Sequence, residues 1–150
     1  MSDFLQQMAQ SRAERASLAK RNYSDDELDL PLIPLQLSAF DVLAEIKDYS
    51  PSEGALAGAD SDRLHQAQMY AEGGVAAMRK DFLVDPVQLL EARAAGASGA
   101  LLITAMQNDK QIKAMLDCAF DLSLFVLLEA FDEDDLERTA RLLERQRYAE

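Results

Sequence analysis

Four charged side chains stand out because each closes a short apolar run: Glu45, Lys47, Lys80 and Glu129. Residues two apart on a strand share a face, so Glu45 and Lys47 are expected to point the same way. A lysine is a compact cation that can hold a carboxylate or phosphate, or give a proton to a carbonyl. A glutamate beside it can take the proton back, and proximity of charges or partial burial tunes both toward neutral pH. The set suits proton transfers on a small anionic substrate. A metal centre is not expected, since the chain has one His and one Cys and hence no ligand cluster.

These residues need elements that bring them to one place. Apolar runs at 42–47, 75–80, 99–104 and 124–129 read as strands, because strands buried on both faces are continuously apolar. Between them lie helical stretches. The stretch 62–72 stops at Gly73 and Gly74; Asp85 and Pro86 supply a cap and a first-turn proline for 87–95, which Gly96 closes; Asn108 and Asp132 open two more. Strand–helix alternation implies parallel strands joined by crossovers. The repeat length matches a (β/α)8 TIM barrel, in which strand C-terminal ends converge on one mouth. The expected class is therefore α/β: a partial (β/α)8 barrel of about four βα units over 42–150, preceded over 1–41 by a helix (2–20), a polar turn at Asn22, Ser24 and Asp25, and a connector held extended by Pro31 and Pro34. A doubly wound sheet is disfavoured, as no glycine-rich dinucleotide loop follows the first strand.

Other residues invite plainer readings. His65 is expected on a helix surface, and Cys118 in packing. Met69, Met78, Met106 and Met115 read as core or near-core filler, and Arg141, Arg145 and Arg147 as complements to a helix dipole.

Composition sets limits. The 150 residues carry a net charge of −12, which speaks against nucleic acid as a partner. No apolar run approaches the roughly 20 residues of a membrane helix, so no membrane partner is expected. The polar N-terminus lacks the apolar stretch of a secretory signal, and one cysteine suits a reducing compartment; the expected location is cytoplasmic.

Several motifs add a resemblance. Ala44, Glu45, Ile46 and Lys47, followed by Tyr49, Ser50, Pro51, Ser52 and Gly54, resemble the first-strand signature of indole-3-glycerol-phosphate synthase. Arg79, Lys80, Asp81 and Phe82, continuing to Val84, Asp85 and Pro86, resemble that family's third-strand motif. Glu91 to Arg93 with Leu101 to Ile103 resemble its next helix and fourth strand, and Val126 to Glu129 its fifth. The resemblance implies a cofactor-free carboxy-lyase of tryptophan biosynthesis. Such an enzyme closes the indole ring of 1-(2-carboxyphenylamino)-1-deoxyribulose 5-phosphate with loss of carbon dioxide and water. It implies Lys80 as general acid, Glu129 in the later proton transfer with Glu45 as acid/base partner, and Lys47 on the substrate carboxylate. Ser50 and Pro51 would shape the first loop, and Phe82 would pack on the aromatic ring.

The pattern also departs from the family. About one repeat, on the order of 25–30 residues, is missing between Gly74 and Arg79, so that 75–80 fuses the start of the second strand to the end of the third. The sixth to eighth units, with their phosphate loops, are not found. A part-barrel has two open strand edges. The expectation is a shortened chain of weak or no activity, which forms a homo-oligomer or joins a complementary barrel fragment through those edges.

Overall fold

The computed structural model describes residues 2–35, 42–46, 49–50, 54–55 and 60–144, giving the backbone course alone at 49–50, 54–55 and 60–64. In chain order the elements are α1 (Asp3–Leu18), α2 (Asp25–Leu28), β1 (Leu43–Ile46), β2 (Tyr49–Ser50), β3 (Gly54–Ala55), α3 (Asp60–Glu72), β4 (Ala76–Arg79), α4 (Pro86–Ala94), β5 (Gly99–Ile103), a 3-10 turn (Thr104–Met106), α5 (Asp109–Asp121), β6 (Phe125–Glu129) and α6 (Glu133–Glu144).

Local chemistry accounts for the helix ends. Asp85 accepts from the Val87 N–H and Gln88 reaches back to the Asp85 N–H, which closes a capping box ahead of α4. Asn108 and Gln111 do the same for α5. Gly74 and Gly96 take φ of +70° and +84° just past α3 and α4, where a side chain would be strained. The turn expected near Ser24 holds the one-turn helix α2 instead, because Ser24 and Glu27 cap each other there.

Four strands form one parallel sheet in the order β1-β4-β5-β6, and each step passes through a helix: α3, α4 and α5. This is the α/β architecture of a partial (β/α)8 barrel. A separate two-stranded antiparallel ladder joins β2 and β3. β1 lies directly beside β4, with Leu43 level with Ala76 and Ile46 with Arg79. The 75–80 segment therefore takes the place next to the first strand.

Period-two alternation divides the core. Ala100 and Leu102 face the helices and pack with Leu89, Ile112, Met115, Leu116 and Ala119. Leu101 and Ile103 face the other way and join Met78, Leu43, Phe125 and, from α1, Leu5 and Met8. The N-terminal helix thus lies against the face that lines the lumen of a complete barrel. At the seam, Gly99 leaves room for the neighbouring Phe125 ring, which occupies the space that a Cβ would need.

Of the four methionines read as filler, Met78, Met106 and Met115 are buried, but Met69 is 58% exposed on α3. His65 is on the surface as expected. Cys118 is half-buried and packs at the helix-side core, its thiol directed at the Pro86 carbonyl oxygen. Burial, then Asp121 and Asp85, push its pKa up. Leu102→Ala should cost about 2–5 kcal/mol in urea denaturation, as expected for truncation at a fully buried site. Met69→Ala should stay within about 0.5 kcal/mol, as surface substitutions do. Comparable losses for the two would contradict this core.

Candidate active site

The alternation that sends Leu101 and Ile103 to the lumen side does the same for Glu45, Lys80 and Glu129, each two residues beyond a lumen-facing neighbour or next in that series. Lys80 Nζ lies 3.6 Å from Glu45 Oε2, and both side chains are about one-third exposed. The backbone supports the pair, because the Lys80 N–H donates to the Ile46 carbonyl at 3.0 Å. Lys80 and Glu129 line one cleft of about 620 Å³, together with Phe82, Leu101, Ile103 and Phe131. Ser2, Phe4 and Leu5 of the N-terminal helix form part of its wall. The cleft thus pairs an apolar floor with an ammonium and carboxylates at its rim, which suits an aromatic anion that must exchange protons.

Three sequence-derived candidates are brought together: Glu45 with Lys80 by an ion pair, and Lys80 with Glu129 along one cleft. Phe82 lines the same cleft, at φ +48°, a conformation uncommon for a bulky residue. Its ring meets Phe4 edge-on at 5.7 Å and 77°. Lys47 and Pro51 lie outside the described residues, and Ser50 is described by its backbone in β2.

Sequence reasoning missed two supports. Arg12 of α1 sits 2.6 Å from Asp81, a carboxylate that is 4% exposed, and Arg79 approaches the same group at 3.7 Å. Arg79 also donates to the Gln88 carbonyl at 2.7 Å and to Glu91 at 3.0 Å. The residues on either side of Lys80 are therefore fixed by ion pairs, one of them to the N-terminal helix. The second support is Arg138. It donates to Asp109 and to the Thr104 and Gln107 carbonyls at 2.6, 2.9 and 2.5 Å, and so ties α6 to the loop beyond β5. A buried hydroxyl pair, Thr104 and Thr139 at 2.9 Å, reinforces that join. Among the described residues, no three His, Cys, Asp or Glu side chains are grouped as a metal site would need.

A parallel sheet with a lysine and glutamates at its strand ends defines a class: the part-barrel, a fold whose complete enzymes carry their chemistry at the C-terminal mouth. Residues 74–145 match the family model described as indole-3-glycerol phosphate synthase, and that segment belongs to this family. Curated proteins named indole-3-glycerol phosphate synthase extend the similarity over most of the chain. One from Acinetobacter baumannii (strain ATCC 17978) is 36% identical over 166 residues, covering 87% of this chain and 62% of its own length. One from Acinetobacter baylyi is 37% identical over 132 residues (69% and 49%), and one from a Polaromonas species 39% identical over 129 (67% and 48%). The chain spans less than two thirds of these relatives. Since 87% of 150 residues is about 130, about 36 of the 166 aligned positions have no residue here. That number is close to the length of one βα repeat.

Removing the Arg12–Asp81 contact tests the clamp. Arg12→Ala leaves a buried carboxylate with less compensation and should cost about 3–5 kcal/mol, as for a broken buried pair. A loss under about 0.5 kcal/mol by denaturation would place Asp81's compensation elsewhere.

Proposed function

We propose that the cleft binds a 2-carboxyphenylamino ketose phosphate and closes its indole ring, the reaction for which the relatives are named. Support comes chiefly from the Lys80–Glu45 pair at 3.6 Å, set at the rim of a cleft that also holds Glu129. In this reading Lys80 gives a proton to the ketone oxygen as the aryl carbon bearing the carboxylate attacks the carbonyl carbon. Carbon–carbon bond formation is followed by loss of the carboxylate as carbon dioxide, which restores the aromatic ring. The new hydroxyl then leaves as water on taking a proton relayed from solvent through Glu45, while Glu129 takes the ring proton and passes it on to return Lys80 to its charged form. Lys47 holds the substrate carboxylate until it leaves, Ser50 and Pro51 shape the loop above it, and Phe82 packs on the ring. No step requires a cofactor. We place the activity in the cytoplasm, where a lone thiol such as Cys118 stays reduced.

A second reading is a part-barrel that keeps the motifs but binds without turnover. It is favoured by the Lys80–Glu45 separation of 3.6 Å, longer than a hydrogen bond, because close positioning is a large share of catalysis.

An indole-fluorescence assay with the carboxyphenylamino substrate separates these readings. The first expects turnover by the wild-type chain and a loss of about 100-fold or more in Lys80→Ala, the usual scale for a general acid. Turnover that survives Lys80→Ala would remove the catalytic assignment. Saturable binding without turnover would select the second reading.

A further inference from the structure

Among the described residues Arg93 is the only buried cation, at 5% exposed. It stands near the end of α4, and its Nη2 donates to the Leu30 carbonyl at 2.6 Å. Its Nη1 is buried too and makes no hydrogen bond among the described residues. A buried guanidinium N–H without an acceptor is costly, so such a group calls for a partner. Burial draws the Arg93 pKa down, and the charge of Asp29 opposes that shift.

Arg93 forms part of the wall of a cavity of about 460 Å³, a size suited to a small molecule. The connector after α2 closes one side with Leu28, Leu30 and Pro31, and the turn after α5 closes the other with Leu122. Two hydrogen bonds fasten the connector there: Arg93 to the Leu30 carbonyl, and the Ile33 N–H to the Ser98 hydroxyl at 3.1 Å. Ser98 precedes β5 and Leu122 precedes β6, so the cavity lies at the opposite end of the strands from Lys80 and Glu129. Two carboxylates, Asp29 and Asp121, share the cavity wall.

We propose that this cavity binds a free α-amino acid with an aliphatic side chain. The carboxylate accepts from Arg93 Nη1, the ammonium meets Asp29, and the side chain lies against Leu28, Leu30 and Leu122. The charges select this ligand class. A plain anion would meet Arg93 but face two carboxylates, and a plain cation would face the guanidinium. A zwitterion answers both signs. The C-terminal end of α5, at Asp121, adds a preference for positive charge on that side. A residue inside a peptide carries neither charge and a chain end only one, so the ligand is the free amino acid.

The inference stands apart from the catalytic reading, and its test needs no substrate. Amide spectra of the isotope-labelled full chain are followed by nuclear magnetic resonance during titration with L-leucine. Saturable shifts are expected at Leu30, Arg93 and Leu122, with Lys80 unmoved. L-Leucinamide lacks the carboxylate and isocaproate lacks the ammonium. Each should bind about tenfold or more weakly, the scale of one charge-assisted hydrogen bond. Asp29→Asn, at an exposed position, should weaken L-leucine binding to a similar degree with the far-ultraviolet circular dichroism unchanged. Arg93→Gln should abolish binding; if that variant does not fold, Asp29→Asn and the ligand series still decide. The absence of saturable shifts at millimolar L-leucine would overturn the proposal. So would shifts confined to Lys80 and its cleft, or unchanged affinity in Asp29→Asn. Inorganic phosphate or isocaproate binding as tightly as L-leucine would mark a simple anion site and overturn it as well.

Discussion

The parallel ladder between β1 and β4 is the constraint on which the rest of the molecule depends. It runs from Leu43–Ala76 to Ile46–Arg79 and ends in the Lys80 N–H bond to Ile46. Without it, nothing in the sheet would hold Glu45 beside Lys80. With it, they are neighbours within ion-pair distance. Parallel neighbours need a crossover between them, usually a helix. α3 supplies that crossover from β1 to β4, and the sheet continues without a break to β5 and β6.

The N-terminal helix is the second half of the account. Packing of Leu5 and Met8 on the lumen-side residues removes apolar surface from water on a face that would be bare in an open part-barrel. The Arg12–Asp81 contact holds this helix at the turn that carries Lys80 and Phe82. Phe82 keeps a left-handed conformation there, in the class of backbone strain that persists where surrounding contacts over-determine it. In this chain those contacts are the Phe4 ring on one side and the paired Asp81 on the other.

Much of this was legible in the sequence, for reasons specific to each element. Strands buried on both faces announce themselves as uninterrupted apolar runs, and the four strands fall inside the four runs read. Caps such as Asp85 with Pro86 and stops such as Gly96 act over three or four residues, so local reading places α4 well. That Glu45, Lys80 and Glu129 lie on one side of the sheet could be read because a period of two carries a strand's parity to its last residue. The Arg12–Asp81 clamp and the Arg138 contacts were not legible. They join residues distant in the chain through side chains that, taken singly, look like ordinary surface charge. Met69 was misassigned for the opposite reason: an apolar residue in a helix was taken to face inward, but α3 turns it to solvent. The two-residue strands β2 and β3 are too short to give an alternation at all.

β1 and β4 are direct neighbours in the sheet, and the placing of Glu45 beside Lys80 follows from that pairing. Backbone nuclear Overhauser contacts and amide exchange in an isotope-labelled chain test it most directly. Contacts between residues 43–46 and 76–79 in parallel register are expected, with a slowly exchanging Lys80 amide. Rapid exchange at Lys80, with β1 showing no contact to β4, would contradict it and separate Glu45 from the rest of the site.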